Sequence, residues 1–117
     1  MYVNGFVLAV PEASKEAYKD VAERFWGIVK DFGATGQFEC WEADVQDGHT
    51  TDFRRATKCE EGERIVFSWV TWPDKATADA SQDKMMADPR MEQFGDMPFD
   101  GKRMIYGGFE PLVWKEA

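Results

Sequence analysis

Apolar residues change their period along this chain, and each change marks an element. Tyr2 to Val10, YVNGFVLAV, is rich in β-branched and aromatic residues and ends at Pro11, which predicts a first strand. From Ser14 to Phe32 the period becomes helical. Tyr18, Val21, Ala22, Phe25, Ile28, Val29 and Phe32 recur on one face, Glu16, Lys19, Asp20, Glu23 and Lys30 on the other, and Gly33 stops the run. A shorter strand is expected over Gly36 to Ala43, followed by turn chemistry at Asp47-Gly48. Thr51 to Glu63 is polar around one large apolar anchor, Phe53, and reads as an irregular connection with one helical turn. Arg64 to Trp72, RIVFSWVTW, is the strongest strand signal, closed by Pro73. Asp74 is placed to cap a second helix reaching Ala87, with Ala76, Ala80 and Ala87 as its contact face. Asp88-Pro89 restarts the chain as the cap and first residue of a short helix. A last strand is expected from Lys102 to Val113.

The order strand, helix, strand, strand, helix, strand predicts an α+β chain of ferredoxin-like βαββαβ topology. The expected sheet is four-stranded and antiparallel, with both helices on one face. Residues 1–117 show no linker, repeat or low-complexity segment and read as a single domain. An antiparallel sheet covered on one side alternates apolar with polar, and these strands do not. Ile65, Phe67 and Trp69 point one way, Val66, Val70 and Trp72 the other. Ile105, Phe109 and Val113 oppose Met104, Tyr106 and Leu112, and Val3, Val7 and Ala9 oppose Phe6, Leu8 and Val10. Two helices cover one face only. At ~25 cal/mol per Å2, leaving a few hundred Å2 of the other in water forfeits on the order of 10 kcal/mol, which rivals a domain's stability. A second copy packed sheet on sheet about a two-fold axis is the expected remedy, giving a homodimer with a shared β core. Gly107-Gly108, in the middle of the last strand, removes bulk from both faces at one level. One face is then free for a helix side chain and the other for a partner or a ligand; a β-bulge is the competing reading.

Composition narrows the partners. Aromatic residues reach 15%, with five Trp and nine Phe, more than an ordinary core asks for. The net charge is −8, and the only adjacent basic pairs are Arg54-Arg55 and Lys102-Arg103, which argues against nucleic acid and against an anionic membrane. The apolar run FVLAV is too short to span a bilayer, no basic region precedes it, and Cys40 and Cys59 form no C-x-x-C, so a cytoplasmic protein with reduced thiols is expected.

Candidate chemistry is sparse. His49, the only histidine, lies in a turn-rich loop, where a solvated role is expected. Asp44, Asp47, His49 and Asp52 miss the spacing of a calcium loop and read as turn residues, so no metal is expected. Cys40, beside Trp41, reads as a small buried hydrophobe. The last strand offers more. Glu110, if buried, would serve as a general base, with Tyr106 on the same face as its catalytic companion. Arg103 and Arg54 would hold an anionic substrate, and Trp69 or Trp72 would complete an aromatic pocket. The competing reading makes these polar groups structural pairs that brace a dimer.

The stretches YVNGFVLAVP, ECWEADVQDGHTTDFRRA, VFSWV and MMADPRMEQFGDMPFDGKRMIYGGFE resemble the YbaA-type family of small bacterial proteins, a domain of unknown function, over nearly the whole chain. The resemblance implies a dimeric α+β barrel, a fold shared with cofactor-free quinol monooxygenases, haem-degrading monooxygenases, chlorite dismutases and muconolactone isomerases. In these the pocket lies between sheet and helices. Asn4 and His49 stand where the family usually carries Asp and Lys, which speaks against either as the seat of a shared chemistry. The second helix holds no histidine for a haem iron, and no cofactor is expected. The expectation is therefore a dimer that binds a small aromatic or quinone-like molecule between sheet and helices, with cofactor-free oxygenation or isomerisation as the fold analogy. The alternative is a non-catalytic structural or stress-associated binding dimer.

Overall fold

The computed structural model describes residues 1–117. Its elements are β1 (Tyr2–Pro11), α1 (Lys15–Val29), β2 (Gly36–Trp41), α2 (Phe53–Ala56), β3 (Glu63–Trp72), α3 (Lys75–Met86), α4 (Pro89–Glu92) and β4 (Ile105–Phe109). The strands form one four-stranded sheet in the order β2-β3-β1-β4, with every neighbouring pair antiparallel. This is the α+β architecture that the element order predicts. No helix is long and apolar enough to cross a membrane.

Register assigns the faces. Tyr2 pairs with Trp72, Asn4 with Val70, Phe6 with Ser68 and Leu8 with Val66, and these side chains share one face. Val3 pairs with Thr71, Gly5 with Trp69 and Val7 with Phe67 on the other. Both core clusters use the first face. Tyr2, Val70 and Trp72 pack with Val29 of α1 and Ala78 of α3, while Leu8, Val10 and Val66 form a second group flanked by Tyr18, Trp41 and Phe99. The amphipathic stripe of α1 lies inward as its period requires, and its last turns are the most buried, with Ile28 and Val29 essentially inaccessible. Gly33, in left-handed backbone at φ 105°, ends the helix and leaves room for Thr77, whose Cγ2 would lie 2.6 Å from an added Cβ.

Two elements differ from the sequence pattern. α3 is capped by Asp74, whose carboxylate accepts from the Thr77 N–H at 2.7 Å, but it buries Ala78 and Ser81 while Ala76, Ala80 and Ala87 are exposed. Alanines and small polar residues stand on every side of this helix, so apolar period cannot set its rotation; Ser81 is accommodated because its hydroxyl donates to the Ala78 carbonyl at 2.6 Å. β4 is shorter than expected. Asp100 accepts from the Lys102 N–H at 3.0 Å and winds Gly101–Arg103 into a 3-10 turn, and Pro111 has no N–H to offer beyond Phe109. Leu112 and Val113 therefore lie outside the sheet.

Candidate functional site

The face away from α1 and α3 is only partly covered: Ala9, Ile65 and Thr71 are buried on it, while its middle is open. Phe38, Phe67, Ile105 and Phe109 project from it with between 43% and 59% of their surface exposed, a contiguous apolar patch of the kind that marks an interaction or ligand surface. The rings are ordered as a row. Phe38 stacks on Trp69 with centroids 4.9 Å apart, Trp69 meets Phe67 at 5.5 Å, and Phe67 meets Phe53, brought in by α2, edge-on at 6.2 Å. Of the strand residues directed to this face, Glu63 alone is charged. It lies at the end of the sheet, where Arg103 holds it.

A groove of about 620 Å3 opens on this face between Val7, Phe67, Trp69, Ile105, Phe109 and the C-terminal Trp114. Glycines shape it. Gly5 and Gly107 are cross-strand partners, and the Phe109 ring lies 3.4 Å and 3.2 Å from where their Cβ atoms would be. Gly108 serves the opposite face, where the Tyr2 phenol occupies the space of its missing side chain. The pair does clear both faces, but for a neighbouring strand's tyrosine and for the chain's own Phe109, not for a helix side chain.

The residues proposed from sequence do not converge. Trp69 projects into the groove, whereas Tyr106 borders it from β4 with its side chain directed, like that of its partner Phe6, to the other face. Trp72 is on the helix side, 2% exposed, with its indole N–H donating to Asn4 Oδ1 at 2.8 Å. An aspartate at position 4 would offer the same acceptor, so the asparagine keeps the contact. Glu110 is exposed beyond the end of β4, so the burial on which a base role depended is missing. Arg54 forms a fork on Glu42, at 3.1 and 2.6 Å, and Glu42 also accepts from the Ile65 N–H at 2.7 Å. Arg103 grips Glu63 at 2.7 and 2.8 Å and Asp100 at 3.1 Å. These hydrogen bonds hold the Glu42 and Glu63 carboxyls below the usual glutamate range, and both guanidiniums are committed to bracing the chain. Cys40 is exposed on the open side of β2, not buried, because its register partner is Phe67. Asp52 turns away from the loop acids to cap α2, accepting from the Arg55 N–H at 2.7 Å and the Gly48 N–H at 3.0 Å.

One polar network escaped the sequence. Between α1 and β2, Glu39 accepts from the Tyr18 hydroxyl at 2.5 Å, from Ser68 at 2.8 Å and from Gln37 at 3.3 Å. Burial first, then the carboxylate beside it, push the Tyr18 phenol well above its ordinary range. A serine in the middle of an otherwise apolar strand was the available signal.

Comparison with known proteins agrees with this architecture. The chain is 56% identical over 113 residues, 96% of its own length and 97% of theirs, to "Uncharacterized protein YbaA" of Escherichia coli K12 and to that of Shigella flexneri. Among solved structures, an uncharacterized NIPSNAP domain protein from Burkholderia xenovorans superposes with a TM-score of 0.60 at 15% identity, over 100% of both chains. At3g17210 from Arabidopsis thaliana superposes at 0.61 with 11% identity, covering 99% of this chain and 100% of that one, and at such identities the likeness is one of fold. A family model described as "Protein of unknown function (DUF1428)" matches residues 1–101, and on these grounds the chain belongs to the DUF1428 family.

Proposed function

We propose that this chain works as a homodimer that encloses a small aromatic molecule, with two open sheet faces packed against each other and the glycine-floored groove retained between them. The observation that carries the reading is the unbroken row Phe38, Trp69, Phe67 and Phe53 on a face whose only charged residue is pinned at its end. Four strands at about 4.8 Å spacing and roughly 20 Å of paired length give a platform of about 400 Å2 before side-chain relief is counted. Two such platforms bury on the order of 1,000 Å2, the lower bound for specific association. The groove supports a binding role because it is concave and lined almost wholly by apolar side chains. This puts the ligand on the open face rather than between sheet and helices, where Val29, Val70, Trp72 and Ala78 fill the space. Cofactor-free oxygenation or isomerisation would be a property of that bound state, with Trp69 as the sequence candidate that faces the groove.

Sedimentation equilibrium tests the dimer. The chain is expected at twice its own mass at micromolar concentration, and Trp69→Asp, which sets a charge at the centre of the row, is expected to return it to a single copy with its helix content intact. A stable single-copy wild type overturns the reading. A thermal-shift screen with aromatic metabolites tests the groove. A ligand at about 100 times its Kd stabilises the folded state by ~2.7 kcal/mol and raises Tm by roughly 10 °C; a dry structural dimer shows no shift.

A further inference from the structure

The groove on the open face has a second compartment. Ile105 and Tyr106 line it and also line an adjoining hollow of about 370 Å3, whose other walls include Lys58, Lys102 and Arg103. Three cations around one hollow stand out on a chain of net charge −8. Arg103 does not contribute free charge, because Glu63 and Asp100 neutralise it and its Nη1 donates to the Lys58 carbonyl at 3.0 Å. That last bond holds the backbone of Lys58, the single non-glycine residue in left-handed conformation, at φ 50°. Strained backbone of this kind gathers at ligand sites, where surrounding contacts over-determine it. Lys58 and Lys102 themselves are exposed and make no salt bridge, so their ammonium groups are available. Ile105, which shares the open face with Val7, forms the border between the two compartments.

We infer that the two hollows together take an aromatic anion. Its flat ring system lies in the groove against Trp69 and Phe109, and its carboxylate, sulfonate or phosphate group passes Ile105 to reach Lys58 and Lys102. Charge complementarity carries the assignment. The apolar compartment alone would accept any ring, whereas two unpaired ammonium groups at its mouth favour the anion over a neutral molecule of the same shape. The inference rests on the groove being the binding site, as proposed above, and it adds the charge class of the ligand and the two residues that select it.

Two fluorescent probes with the same anilinonaphthalene ring system separate these statements: 8-anilinonaphthalene-1-sulfonate, an anion, and N-phenyl-1-naphthylamine, which is neutral. Titrated into the full chain, the sulfonate is expected to bind about tenfold more tightly than the amine. Lys58→Gln with Lys102→Gln is expected to remove that advantage and leave binding of the amine unchanged; both side chains are exposed, so the double variant folds. Equal binding of the two probes by the wild type, or full retention of sulfonate binding by the double variant, overturns the inference and leaves the groove as a general aromatic site. Binding of neither probe overturns the groove itself, and the charge selection with it.

Discussion

Gly107 and Gly108 are adjacent, yet each answers a different packing demand, and substitution separates them. A methyl group at position 108 overlaps the Tyr2 phenol, a buried ring held within the helix-side core. Gly108→Ala is expected to cost about 2–3 kcal/mol, the upper range for overpacking a core. At Gly107 the obstacle is the edge of Phe109, 59% exposed and free to swing, so Gly107→Ala is expected to cost about 1 kcal/mol or less. Gly27, in the interior of α1, has open space where its Cβ would be, and Gly27→Ala is expected to stabilise by about 0.5–1 kcal/mol through helix propensity and a less flexible unfolded chain. Urea unfolding of the three variants checks both the order and the change of sign. The doubled glycine was legible as a two-sided clearance, since adjacent strand residues point to opposite faces. Its occupants were not, because Tyr2 reaches Gly108 only through the β1–β4 register.

Elements here are tied together by side chains at their ends as much as by their ladders. Glu42, one residue past β2, accepts the Ile65 N–H and the Arg54 fork, and Glu63 at the start of β3 accepts Arg103 from the turn before β4. These ties make stability depend on pH. Folding holds both carboxyls below their ordinary value of 4.5, so their contribution is complete above that pH. As pH falls, the unfolded chain takes up protons first and the contribution is lost through the folded-state values. Glu63→Gln is expected to be less stable than the wild type at pH 7 and to lose stability less steeply between about pH 5 and pH 3. Urea midpoints across that range test this; parallel curves would show that Glu63 is not a source of the acid sensitivity. From the sequence, Arg54 and Arg103 fit either substrate ligands or structural braces. The sequence could not choose, because their acidic partners lie 12 and 40 residues away along the chain.

At the scale of the whole molecule, two terms oppose each other in the proposed dimer. The bare aromatic face drives association, while each copy carries a net charge of −8 that resists it. Self-repulsion between surface charges is screened once the Debye length falls to about 10 Å at 0.1 M salt, whereas apolar burial is not weakened by salt. The dimer is therefore expected to tighten as NaCl rises from about 0.02 M to 0.3 M, by roughly three- to tenfold in Kd. An interface held by salt bridges would weaken over the same range. Sedimentation or dilution calorimetry at the two salt concentrations tells these apart.

The sequence by itself determined the helix α1, the strands β1 and β3, the caps at Asp74 and Asp88, the ferredoxin-like order and the excess of apolar residues on both faces of the sheet. All of these follow from local period, turn chemistry and capping, which act over a few residues. Tertiary structure alone decided the rest. It set which side of the alanine-rich α3 is buried, where β4 stops, that the helices cover the face of Trp72 and not that of Trp69, that Glu110 lies in solvent, and that Lys58 comes to the side of Lys102. Each of those outcomes depends on strand register or on partners distant in the chain, and a one-residue difference in register reverses the face to which a side chain belongs.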